Sequence, residues 1–159
     1  MEKFMYENDY VVSTRTMAVG PAFEMDGQSK VYERNEDVLV VKDSAMDIIS
    51  EGCLLGGASY EGRKDAVRYR TGVKRKVPVP MNVFQKIGAM PTHSPRLHNC
   101  FWLFPYHIKT IASHPKNHLH SEITFLDGQQ LHIDVSAYSL RLQKMRAWEA
   151  FSIFFSPSS

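Results

Sequence analysis

The hydrophobic pattern of this chain is mostly that of strands, with helical spacing in three places. Tyr10 to Val19 is rich in β-branched residues and stops at Gly20-Pro21, which predicts a strand. Ser29 to Arg34 and Asp37 to Lys42 flank the polar pair Asn35-Glu36, as a hairpin would. Ser44 then offers a cap to a short helix whose Met46, Ile49 and Cys53 share one face. A second helix is predicted over Tyr60 to Thr71, between Ser59 as cap and Gly72 as stop, with Ala66, Tyr69 and Val73 on its apolar side. Its other side carries Arg63, Lys64, Arg68 and Arg70, with Val67 among them.

Further along, Val77 to Pro80 reads as extended backbone, because proline biases its predecessor away from helix. Met90 to His98 reads as a loop, Phe101 to Phe104 as a short aromatic strand, and His107 to Ala112 as another. From Glu122 to Val135, Ile123 and Phe125 alternate toward Asp127-Gly128, and Leu131, Ile133 and Val135 alternate away from it. That predicts a hairpin closed by a two-residue type I′ turn. Ser136 or Ser139 caps a final helix running toward Phe155, apolar nearly all round at its end, as core burial or a subunit interface requires. The expected fold is α+β: a mainly antiparallel sheet, two short central helices and a long C-terminal helix.

A chain of 159 residues with 43% hydrophobic content buries one core, so a single domain over 1–159 is expected, with flexible ends over 1–9 and 156–159. The acidic N-terminus has no apolar stretch of signal-peptide length, and no apolar run could span a bilayer. Cys53 and Cys100 lie far apart and outside any CxxC, which fits reduced, buried thiols in a cytoplasmic protein.

Charge changes this picture. The formal net charge is only +2, but residues 1–62 carry five bases against twelve acids. Arg63 to Lys76 (RKDAVRYRTGVKRK) holds seven bases in fourteen residues and one acid, Asp65. Such segregation fits either a localised site for a polyanion or a solvated charged face. Arg63 could also hold Glu61 or Asp65 in a surface ion pair.

Enzyme chemistry finds little purchase. Gly57 to Lys64 is spaced almost like a phosphate-binding GxxxxGK[ST] loop, but Arg63 and Lys64 stand where lysine and the Mg²⁺-holding hydroxyl are needed. GxSxG is absent. His114, His118 and His120, with Cys100 joining from a distance, are the one metal-ligand candidate, but Pro115 and Asn117 favour a polar loop. His132 reads as the solvent-side residue of a strand. Neither a metal nor another cofactor is expected.

The order Cys53, two apolar residues, Gly56-Gly57, Ser59-Tyr60 and Gly62-Arg63-Lys64 resembles the motif of the ComK family of competence transcription factors. The resemblance extends through Pro78-Val79, Cys100 to Pro105 and the Asp127-Gly128 hairpin, to Ser136, Ser139, Gln143, Arg146 and Ala147, covering about residues 30–150. It implies an activator that binds paired A·T-rich boxes in double-stranded DNA, largely through the minor groove, as assembled dimers, and hence a homo-oligomer that is a dimer or higher. On that reading Arg63, Lys64, Arg68 and Arg70 reach the groove or its phosphates, and Lys74, Arg75 and Lys76 steady the backbone. Arg141, Lys144 and Arg146 form a secondary surface. The alternative within the family is a shortened paralogue that associates without activating. The resemblance also implies a proteolytic adaptor as partner, but familiar members use a charged C-terminal tail for it, whereas this sequence ends at SPSS.

Overall fold

The computed structural model describes residues 3–4, 10–23 and 28–156. Its elements are β1 (Lys3–Phe4), β2 (Thr16–Pro21), β3 (Ser29–Glu33), β4 (Leu39–Val41), α1 (Ala45–Leu55), α2 (Tyr60–Thr71), β5 (Val79–Asn82), β6 (Ile87–Pro91), β7 (Trp102–Leu103), β8 (Ile108–His114), β9 (Asn117–Phe125), β10 (Gln130–Ile133) and α3 (Ala137–Phe155). The architecture is α+β. A seven-stranded sheet has the order β1-β4-β3-β2-β7-β6-β5, and a three-stranded sheet the order β10-β9-β8. All described pairings are antiparallel except β1 with β4. Apart from Lys3–Phe4 and Ser156, the ends expected to be flexible lie outside the described residues.

Neighbouring residues of the central strands enter different cores, because successive side chains of a strand point to opposite faces. Ala89 and Trp102 join α1 residues Ile48, Ile49 and Cys53 in one cluster. Met90 and Leu103 join α3 and the three-stranded sheet in the other. Helix α2 packs on the edge strand β5, with Tyr60 in the first cluster and Val67 in the second.

Several local expectations need correction. Strand β2 starts at Thr16 rather than Tyr10, because a turn (Thr16 N–H to Ser13 O, 3.2 Å) folds the preceding segment back and Tyr10 Oη meets Thr16 Oγ1 at 2.7 Å. It also runs on through Gly20 to Pro21, which is tolerated because β7 pairs only as far as Val19. Met90 and Pro91 belong to β6, not to a loop, since they pair with Leu103 and Trp102. The supposed loop from His114 to His120 is a hairpin, with His118 and His120 on β9.

The Asp127-Gly128 hairpin forms, but its turn is longer than two residues, so Ile123 lies opposite Leu131 rather than opposite His132, where a two-residue turn would put it. Phe125 O accepts from Gly128 N–H at 2.9 Å, and Phe125 N–H donates to Gln129 O at 2.9 Å. Only Gly128 takes a positive φ, of 94°, so this is a type I turn followed by a left-handed glycine. Asp127 ties the turn to the β3–β4 connection by accepting from Asn35 N–H at 2.8 Å.

On α3, one stripe (Leu140, Gln143, Ala147, Ala150, Phe151) faces inward. The helix end is therefore not buried all round, and Trp148 remains 40% exposed.

Candidate nucleic-acid interface

Helix α2 begins where Ser59 Oγ accepts from Gly62 N–H at 3.0 Å. It ends at Gly72, whose φ of 78° lets its N–H return to Arg68 O. Its inward face is not the one predicted. Val67 is fully buried and Tyr69 is 89% exposed. Tyr60 and Val67 share one side at helical spacing, and the groove between β5 and α1 accepts that side.

This phase divides the basic cluster. Arg63, three residues after Tyr60 and four before Val67, turns inward, and its Nη2 donates to Gly56 O at 2.9 Å. It pairs with neither Glu61 nor Asp65 and instead satisfies a carbonyl at the C-terminal end of α1. A side chain at Gly56 would force the backbone to shift, since a Cβ would lie 1.9 Å from Met81 O. Burial pushes the nearby Cys53 thiol up to about 11, with the Arg63 charge opposing. Burial likewise pushes the Tyr60 hydroxyl up to about 12.

Lys64 and Arg68, one turn apart, face outward together. Lys64 Nζ lies 3.2 Å from Glu61 Oε1 and 5.0 Å from the centre of the Tyr60 ring. Arg68 sits 3.8 Å from Asp65 and approaches Lys74 O at 3.5 Å. Arg70 points elsewhere, its guanidinium 6.0 Å from the Phe154 ring of α3. Lys74, Arg75 and Lys76 follow in the link to β5, and their side chains make no ion pair among the described residues. Lys76 has a φ of 48°, and its carbonyl accepts from Gln143 Nε2 of α3 at 2.6 Å.

Lys64, Arg68, Lys74, Arg75 and Lys76 line one open groove of about 1100 Å³ between α1, α2 and the segment after β6. Arg96 lines it too, a residue with no local sequence signal, since it stands alone in a Ser-Pro-Arg loop. Glu61 is the one acid there. The groove therefore concentrates positive charge on side chains of which most make no ion pair among the described residues, which suits a chain of phosphates.

The secondary set on α3 is dispersed. Arg141 donates to Ile111 O and so braces α3 on β8, whereas Lys144 is half-buried and Arg146 exposed. Among the described residues no group of three His, Cys, Asp or Glu is placed to hold a metal ion. His132 stacks on His114 with ring centres 4.3 Å apart, and its Nε2 lies 2.8 Å from His120 Nδ1. Burial, then the neighbouring His114 and His120, lower its pKa. Cys100 is buried, its thiol directed at His93 O.

A family model described as "ComK protein" matches residues 7–155 of the chain. The chain belongs to the ComK family. Membership makes it a protein of a competence transcription-factor family rather than of an enzyme family. The matched region is longer than the residues that carry the motifs, taking in β2 at one end and all of α3 at the other. No curated protein and no solved structure matches the chain. No helix among the described residues is long and apolar enough to cross a membrane.

Proposed function

We propose that this ComK-family protein is a transcriptional activator of competence genes that binds A·T-rich boxes in double-stranded DNA, largely through the minor groove. The observation that carries the reading is the groove itself, where five cations of the 63–76 stretch converge and Lys74, Arg75 and Lys76 have no ion-pair partner among the described residues. Phosphate neutralisation releases condensed counterions, and A·T-rich minor grooves hold the strongest negative potential for an entering arginine. Arg68, held only by long contacts to Asp65 at 3.8 Å and to Lys74 O at 3.5 Å, is suited to that entry. Arg63 supports the groove from beneath rather than reaching DNA. The protein acts at the nucleoid, as an oligomer. The half-exposed apolar surface around Trp148 and the C-terminal end of α3 suits association between copies.

The test is a fluorescence-anisotropy titration of an A·T-box duplex against a G·C-rich control over a salt series. Wild type and an Arg68→Ala, Lys74→Ala, Arg75→Ala variant are compared. The expected result is a preference for the A·T duplex and, in the variant, a salt slope smaller by roughly 2.7, three contacts' worth. A wild type with neither preference nor salt dependence would reject the reading.

A further inference from the structure

We infer that the segment from Thr92 to Asn99, between β6 and β7, is the second wall of the DNA-binding groove and that Arg96 is a phosphate-contacting residue on it. This rests on the DNA-binding reading above and names a contact outside the 63–76 cluster.

Pairing explains why two segments distant in sequence meet. Strands β5 and β6 are antiparallel, with Val79 opposite Ala89. The chain entering β5 from Lys76 and the chain leaving β6 at Pro91 therefore emerge at the same end of the pair. One side chain verifies their proximity, since Gln143 Nε2 lies 2.6 Å from Lys76 O and 3.4 Å from Pro91 O. Ser94, Pro95 and Arg96 line the groove together with Lys64 and Arg68. The Arg96 side chain is exposed and makes no hydrogen bond or ion pair among the described residues.

The wall is braced before any ligand arrives. Leu97 N–H donates to Ser94 O at 2.9 Å, closing a turn that carries Arg96. At one root, Thr92 N–H donates to Phe101 O at 2.8 Å and Thr92 Oγ1 accepts from Phe101 N–H at 2.9 Å. At the other, Asp134 after β10 holds both His93 Nε2, at 2.8 Å, and Asn99 Nδ2, at 3.1 Å. Thr92 Oγ1 meets His93 Nδ1 at 2.7 Å, which leaves Nε2 free to donate to Asp134. Asp134 is thus a positioning residue, and a wall ordered in advance loses little freedom on binding.

The experiment uses the full chain and the A·T-box duplex over a salt series, with Arg96→Ala, Arg96→Lys, Asp134→Ala and the Arg96→Ala, Asp134→Ala double variant. Arg96→Ala is expected to lower the salt slope by about 0.9 and weaken binding about fivefold at 0.15 M salt, with Arg96→Lys keeping the slope. Asp134→Ala is expected to weaken binding when Arg96 is present and to add nothing when it is absent. If the Arg68, Lys74, Arg75 variant loses slope but Arg96→Ala does not, the inference falls and the DNA reading stands. Loss of slope in Arg96→Lys as well would make Arg96 structural and also overturn it. A wild type without salt dependence defeats both.

Discussion

Gln143, in the middle of α3, donates its side-chain amide to the carbonyl of Lys76 at 2.6 Å, across 67 positions of sequence. Gln143 is 6% exposed, so this bond holds the basic link to β5 from inside the molecule. Gln143→Leu keeps the volume but leaves the Lys76 carbonyl without its donor. We expect a loss of about 1–3 kcal/mol in urea unfolding, together with weaker DNA binding.

Arg63 and Arg68 lie five residues apart and do different work. Arg63→Ala removes the charged donor to Gly56 O and is expected to cost about 1.5–3 kcal/mol of stability while leaving the salt slope of DNA binding unchanged. Arg68→Ala should do the reverse, lowering the slope with little change in melting temperature. Thermal unfolding and salt titration on the two single variants separate these outcomes.

Gly56, which caps the C-terminal end of α1, packs against the backbone of β5. A Cβ there would meet the Met81 carbonyl and lie 3.1 Å from Asn82 Cα, both backbone atoms that cannot swing aside. Gly56→Ala is expected to destabilise by about 1–3 kcal/mol through overpacking, read as a lower urea midpoint at unchanged m value.

The histidine cluster on the small sheet makes stability depend on pH. The folded pKa of His132 is lowered by burial, then by His114 and His120. The unfolded chain therefore binds more protons than the folded one as pH falls below about 6.5, the unperturbed histidine value. Stability is full above that pH and declines as the pH drops from there toward the folded pKa. Melting temperatures between pH 7.5 and 5 should fall for wild type and fall less for His132→Gln.

Much of the local structure was legible in the sequence because its causes are local. Ser44, Ser59 and Ser136 each cap the helix they precede, accepting an N–H three residues on. The Asn35-Glu36 and Asp127-Gly128 hairpins are where the alternating runs place them. The failures have physical reasons too. Helix α2 carries apolar residues on both sides, Tyr60 and Val67 against Ala66, Tyr69 and Val73, so periodicity left its phase undetermined. At His114 to His120, Pro115 and Asn117 suggested a loop, but a turn needs only two residues and the strands pair around it.

By itself, then, the sequence determined the α+β class, the limits of α2, the family and the concentration of charge between Arg63 and Lys76, all of which depend on neighbours within a turn or two or on motif order. Tertiary structure alone decided that Arg63 turns inward to Gly56, that Arg70 turns toward Phe154, and that Arg96 joins Lys64 and Arg68 along one groove. The first follows from the packing of α2 on α1 and β5, the second from the approach of α3 to α2, and the third from the antiparallel pairing of β5 with β6. Contacts between separate elements leave no local pattern to read.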